Sequence, residues 1–478
     1  MDSRLLDPSD TRRESDPLGI VDVPSAAYYG AQTARAVDNF QISGIPIGHY
    51  PHLIRALAMV KRAAARANFQ LGDLSEAKMD AILSACDEIE AGSLNGQFAL
   101  DVFQGGAGTS TNMNINEVIA NRGLEIMGLP RGDYTALHPN NDVNRSQSTN
   151  DVYPTAVRLA LLLAAPELID ALWTLIGAFE AKASEFASIL KLGRTQLQDA
   201  VPMTLGQEFG AFAITIREDI DRLQDAMDLL REINLGGTAI GTGITADANY
   251  QRLAIAELEA AAATRLKPAA NLIEACWDTG AFVHFSGVLK RIAVKLSKIS
   301  NDLRLLSSGP RGGIGEVRLP AVQPGSSIMP GKVNPVIPEV VNQVAFHVIG
   351  QDVTVTLAAE AGQLQLNAFE PVIAFSLMQS IRLLTSAARA LESRCVVGIK
   401  ADEAACETHL WSGTALATAL VPVLGYQRSA ELAKAILATG KSLRELLVEA
   451  GDLSPDLVDE MLNAEEMTQP SRTRKPKP

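Results

Sequence analysis

Residues 281–306, AFVHFSGVLKRIAVKLSKISNDLRLL, constrain the fold more than any other stretch. Phe282, Phe285, Leu289, Ile292, Leu296, Ile299, Leu303 and Leu306 recur at alternating steps of three and four, with lysine and arginine on other faces. That spacing writes one apolar seam along an α-helix. At about 1.5 Å per residue the helix is roughly 35–40 Å long. Segment 207–232 carries Phe209, Phe212, Ile216, Ile220, Leu223, Met227 and Leu230 in similar steps. Segments 155–190, 338–361 and 372–394 are also long and largely apolar, and Pro166 is expected to kink or divide the first. The run VTVTL at 353–357 mimics a strand. It sits inside a long stretch without turn signals and reads as buried helix. Helices this long, side by side, make a bundle. Several carry little charge on any face, so more neighbours are expected than one chain supplies.

Aromatic residues are only 5% of the chain, whereas alanine and leucine abound, which favours helix over β-rich architectures. An all-α fold in three domains is expected: a mostly helical N-terminal domain over 1–150, a long central bundle over 151–404, and a small helical domain over 405–478. The last ends in a basic, proline-containing tail, TQPSRTRKPKP, read as disordered. The 42 basic and 55 acidic residues leave a net charge of −13, so nucleic acid and anionic membrane are poor partners. The longest apolar runs, such as 159–166 and 415–425, fall short of the ~18–20 residues that span a bilayer. The charged N-terminus has no apolar signal region. Cys86, Cys276, Cys395 and Cys406 lie far apart and read as reduced thiols, so a cytoplasmic protein is expected.

Glycine-rich and polar clusters at 104–116, 138–151, 193–204, 234–247 and 308–335 punctuate the helices, and function is expected there. Cofactor motifs fail. Gly325 to Lys332 has five residues between its glycines, and Val333 follows the lysine where a phosphate loop needs Ser or Thr. Gly241 to Ala246 fits a loose dinucleotide pattern but follows no strand. His49 and His52 are the one close histidine pair and lack the further ligands zinc needs. His284 and His347 read as satisfied side chains on long helices. What remains is donors. Gly105 to Asn112, Ser146 to Asp151, and Gly193-Arg194-Thr195-Gln196 all combine flexible backbone with hydroxyls and amides. Such donors hold a carboxylate and grip harder as negative charge builds on it. Each cluster alone reads as a helix cap or turn. The stretch from Pro324 to Pro335 adds two glycines and a second internal proline around Ser326, Ser327 and Lys332, a composition suited to a loop that closes over a ligand.

GSSIMPGKVNP resembles the signature loop of the aspartase/fumarase superfamily. GAGTSTNMNINEVIAN, SQSTNDVYPTA, GRTQLQDAVPMTLGQEF and SSGPRGGIGEVRLP extend the resemblance from about residue 20 to about residue 460. Members eliminate a leaving group from a succinate skeleton to give fumarate, through an aci-carboxylate that needs a donor-lined site. The resemblance implies that Ser326 is the general base, activated by its surroundings, with Lys332, Asn334 and loop N–H groups nearest. It implies that Thr109, Ser148, Thr149, Asn150, Thr195 and Ser327 bind carboxylates or support the developing charge, and that Lys332 and Asn334 hold the far carboxylate. It also implies a small dicarboxylate substrate and a homotetramer whose central helices form one large bundle, with each active site built from three subunits. No cofactor is required, and activation by Mg²⁺ is left open.

Two positions bear on the leaving group. Gln196 stands where fumarases carry histidine, and Glu370, in LQLNAFEPVI, stands where they typically carry lysine. A carboxylate near the site would favour an ammonium substrate, whereas Glu370 on a helix surface would carry no such role. Elimination of ammonia from L-aspartate is therefore expected, with hydration of fumarate as the alternative and a scaffold without catalysis as a more distant one. HPNNDVN, with His138 and Asn140, is similar to a secondary carboxylate segment of fumarases, although Asn141 replaces an acidic residue. Arg35 matches an N-terminal arginine that approaches the site in family members.

Overall fold

The computed structural model describes residues 10–414, 416–417 and 420–451, with 454, 456, 458, 463, 468 and 469 beyond. The expectations for the first nine residues and for nearly all of the basic tail fall outside the described residues.

The chain makes two compact units, each assembled from three separated stretches: 1–168, 221–291 and 347–383 in one, 169–220, 292–346 and 384–478 in the other. This division cuts across the three consecutive segments expected from the sequence, because the long helices run from one unit into the other. In the first unit, strands β1 (Thr11–Asp16) and β2 (Gly19–Pro24) form an antiparallel hairpin. Helices α1 (Ala31–Asn39), α2 (Pro51–Gln70), α3 (Glu76–Glu90) and α4 (Thr109–Ile126) follow. The rods are α5 (Thr149–Glu185), α6 (Leu205–Leu229), α8 (Gly280–Leu306), α9 (Val336–Glu360) and α10 (Glu370–Arg394), with the shorter α7 (Tyr250–Ala262) among them. The alanine-rich α2 lets α3, α4 and α7 approach closely, and its Ala56, Ala58, Ala63, Ala64 and Ala67 have no exposed surface. Helices at Glu403–Ser412, Val421–Thr439 and Leu443–Ala450 follow, and the sheets of the described residues are four two-stranded pieces, so the all-α expectation holds.

The seam on α8 is as the spacing predicts: all eight of its apolar residues are 5% exposed or less. In the second unit, Phe179 and Phe186 of α5 and the following turn pack on Phe209 and Phe212 of α6, with ring centroids 5.3–6.1 Å apart. The division expected at Pro166 does not occur. It lies inside α5, which runs undivided from Thr149 to Glu185. Proline removes one helical hydrogen bond and crowds the preceding turn at about 3 kcal/mol. Burial of Leu161, Ala165, Leu168 and Leu172 around it outweighs that cost.

Two helices escape a criterion based on apolar runs. Thr149–Glu185 and Glu370–Gly398 are long and apolar enough to cross a membrane, although 61% and 72% of their most apolar windows are buried inside the fold. VTVTL is helical as expected, within α9. It is not buried in the single chain, since Val353 is 56% and Leu357 64% exposed. Val340 and Phe346 of the same helix are exposed too, leaving a long apolar face uncovered.

Candidate active site

Four of the expected substrate residues gather in the first unit. Gly106, Ala107 and Gly108 all take positive φ, at 85°, 55° and 89°, and deliver the chain into α4 at Thr109. A Cβ on Gly108 would stand 2.5 Å from the Tyr153 ring, so only glycine fits there. Thr109 is exposed at the helix start and its hydroxyl donates to the Gly106 carbonyl at 2.8 Å. Ser148, Thr149 and Asn150 are half-buried at the entrance to α5. Beneath them Asp151 is buried and accepts backbone N–H groups from Ser148, Gly236 and Thr238 at 2.9–3.0 Å. Burial raises its carboxyl above the usual range, against those three donors and the charge of Lys61. Asn150 donates to the Ala239 carbonyl at 2.7 Å, and its own carbonyl accepts from Asn234 at 3.0 Å. The loop at 234–239 thus anchors the loop at 148–151 from behind.

Six residues belong to the second unit. Strands β3 (Leu190–Thr195) and β4 (Gln198–Thr204) pair around a two-residue turn, Gln196-Leu197, in which both φ values are positive, at 53° and 62°. This places Thr195 and Gln196 at an exposed tip. The stem of the hairpin is held by Glu316, which has no exposed surface and takes Arg194 at 2.6 Å, Lys191 at 3.0 Å and His409 at 3.0 Å. Burial would raise the Glu316 carboxyl, but these partners together hold it below its ordinary value.

Ser326, Ser327, Lys332 and Asn334 share one exposed loop, beside a cavity of about 550 Å³ lined by Gln323, Ser326, Met329 and Lys332 among others. Two bonds close the loop: the Gly325 backbone N–H donates to the Lys332 carbonyl and the Asn334 side-chain amide donates to the Gly325 carbonyl, both at 2.7 Å. A Cβ on Gly325 would meet the Lys332 oxygen at 2.5 Å. The Ser326 Oγ accepts the backbone N–H groups of Ile328 at 3.2 Å and Met329 at 3.1 Å. Two fixed donors on one hydroxyl oxygen favour its deprotonated form. Among the described residues Lys332 forms no ion pair.

The remaining three expected residues sit on other segments of the first unit. Arg35 is committed to Asp16 through two bonds, at 2.8 and 3.1 Å, and fastens α1 to the β1–β2 hairpin. His138 caps the short helix that follows it, its Nδ1 accepting from Asn140 at 3.0 Å and Asn141 at 3.2 Å. Burial lowers its pKa, which keeps that acceptor unprotonated. Glu370 is no surface carboxylate. It is 4% exposed at the start of α10, and burial pushes it up to about 8 despite the opposing charge of Arg158. The close histidine pair divides: His49 contacts Arg382 and His52 pairs with Glu167.

Sequence reasoning passed over Lys61 and Glu316 and took Asn112 and Asp151 only as members of polar clusters; all four are buried. The signal for Lys61 was a charge on a helix face that otherwise carries Leu57, Ala58, Ala64 and Ala65.

Residues 19–350 match the family described as Lyase, and residues 416–469 match the one described as Fumarase C C-terminus. The chain is 59% identical over 460 residues to an aspartate ammonia-lyase of Pseudomonas canavaninivorans, covering 96% of this chain and 97% of that protein. It is similar to the crystal structure of a fumarate lyase:delta crystallin from Brucella melitensis bound to cobalt, at 62% identity and TM-score 0.94, over 96% of this chain and 100% of that one. A class II fumarase from Schistosoma mansoni matches at 36% identity and TM-score 0.92, over 96% and 99%. With donor-lined loops of this kind and similarity along nearly its whole length, the chain belongs to the aspartase/fumarase superfamily of lyases.

Proposed function

We propose that the chain is an aspartate ammonia-lyase, catalysing the reversible deamination of L-aspartate to fumarate and ammonia. The observation that carries this reading is the 59% identity, over nearly both full lengths, to a relative of that name, against 36% to a fumarase. In this reading Ser326, as an alkoxide, removes a proton from the substrate carbon next to one carboxylate. The Ile328 and Met329 N–H groups that already hold its Oγ stabilise that alkoxide. The electron pair left on carbon moves into the carboxylate, giving an aci-carboxylate with an added negative charge. Thr109, Ser148, Thr149, Asn150, Thr195 and Ser327 supply the donors that meet this charge, with Gln196 at the turn beside Thr195. Lys332 and Asn334 hold the far carboxylate. Collapse of the aci-carboxylate forms the carbon–carbon double bond and releases the amine.

The donor loops come together, in this reading, in a homotetramer whose sites each draw on three subunits. The uncovered apolar face of α9 supports an assembly of that kind. The chemistry asks for no cofactor, Mg²⁺ would act only as an activator, and four buried free cysteines suit a cytoplasmic setting.

Following the ultraviolet absorbance of fumarate, with L-aspartate in one cuvette and L-malate in another, tests the assignment. A rise with aspartate alone is expected. A rise with malate alone overturns it in favour of a hydratase. Ser326→Ala is expected to lower kcat at least ~10³-fold with the native mass retained. Substantial turnover in that variant removes Ser326 from the base role.

A further inference from the structure

Lys61 sits at the middle of α2 with no exposed surface, and its ammonium has no carboxylate within hydrogen-bonding distance. All three of its bonds go to side-chain amide oxygens: Asn112 Oδ1 at 2.7 Å, Asn144 Oδ1 at 2.9 Å and Gln147 Oε1 at 2.9 Å. Burying a cation among neutral acceptors is unfavourable compared with an apolar side chain of the same length. Burial accordingly pushes Lys61 down to about 7, whereas three acceptor oxygens at 2.7–2.9 Å are all satisfied only by the protonated amine. Packing alone would be served better by methionine.

An ammonium donates and never accepts, so it dictates which way each amide faces. With their oxygens turned toward Lys61, the three amides must point their NH₂ groups outward. Gln147 spends its NH₂ on the carbonyls of Val143 and Arg145, both at 3.0 Å, and Asn144 spends its own on the Gln147 carbonyl at 3.3 Å. The Asn112 NH₂ donates to Asn144 Oδ1 at 3.1 Å and to Thr149 Oγ1 at 3.2 Å. Thr149 therefore receives a hydrogen bond at its oxygen, and its own proton is left to donate elsewhere.

We propose that Lys61 is a positioning residue that fixes the orientation of the Asn112 amide and thereby turns the Thr149 hydroxyl proton toward the substrate carboxylate. This rests on the reading that Thr149 binds that carboxylate. Without the ammonium, Asn112 is free to flip and present its oxygen, and Thr149 then donates inward to Asn112 and offers the substrate only a repelling lone pair.

The test is a double-mutant cycle on steady-state kinetics with L-aspartate, using Lys61→Met, Thr149→Ala and the combination. Each single variant is expected to raise KM about tenfold, the loss of one hydrogen bond to a charged group. The combination is expected to exceed Thr149→Ala by less than about twofold, because Lys61 acts through the hydroxyl already removed. Multiplication of the two single effects would show a general structural role and overturn the proposal, as would an unchanged KM in Lys61→Met. An unchanged KM in Thr149→Ala overturns the carboxylate-binding premise itself, a different result from failure of the Lys61 arm alone. Should Lys61→Met not fold, Asn112→Leu cuts the same relay with the ammonium in place, and it must show the same non-additivity with Thr149→Ala.

Discussion

Glu370→Gln separates charge from shape at a position that sequence alone made a specificity candidate. Buried at the start of α10, Glu370 titrates near 8 in the folded protein against an ordinary 4.5. Between those values the native state keeps a proton that the unfolded chain has lost. Stability therefore falls as pH rises through that window, and is level below about pH 4.5 and above about pH 8. At about 1.4 kcal/mol per unit of pKa, the full shift corresponds to a ceiling of roughly 5 kcal/mol. The opposing charge of nearby Arg158 is already contained in that shift, and relaxation of the site around the ionised carboxylate lowers the expected loss to about 2–4 kcal/mol. Glutamine keeps the size and cannot ionise. Unfolding midpoints of both proteins at pH 5, 7 and 9, at one protein concentration, should show the variant gaining on the parent as pH rises. Parallel behaviour across that range refutes the reasoning. Because Glu370 is neutral at pH 7, the variant should also keep kcat/KM for L-aspartate within about threefold and gain no turnover of malate.

Gly108→Ala brings a Cβ to 2.5 Å from the Tyr153 ring at a φ of 89°, and a loss of at least ~2 kcal/mol in stability is expected, read by thermal unfolding. A melting temperature within about 1 °C of the parent refutes that packing. Leu357→Asp puts a charge on the uncovered face of α9 and is expected to shift sedimentation from the proposed tetramer toward smaller species. An unchanged tetramer removes this face from the interface.

The seam of α8 was legible because every one of its apolar residues obeys a local period, and local period is what a sequence displays. Pro166 was misread for the opposite reason: its cost is local, whereas the burial that outweighs it comes from residues packed around it in three dimensions. The donor loops announced themselves by composition, and the two N–H groups on Ser326 follow from a turn only three residues long. Lys61 could not be read in this way. Its partners lie 51, 83 and 86 residues along the chain, and the direction of an amide leaves no trace in composition. Glu370 was visible as a residue and not as an environment, so its burial, and with it the loss of its charge, had to come from the fold. The division into units was hidden too, since helices that belong to both carry no boundary signal.

The turn at Gln196-Leu197 acts as a filter on what evolution can try beside Thr195. A backbone held at a φ of 53° strains side chains branched at Cβ, so valine, isoleucine and threonine are disfavoured at 196 before any question of chemistry arises. The histidine of fumarases and the glutamine of this chain are both unbranched there. Divergence between leaving groups at this position is thus drawn from a short list set by backbone geometry, and a lineage that changes its substrate must do so with the few residues the turn admits.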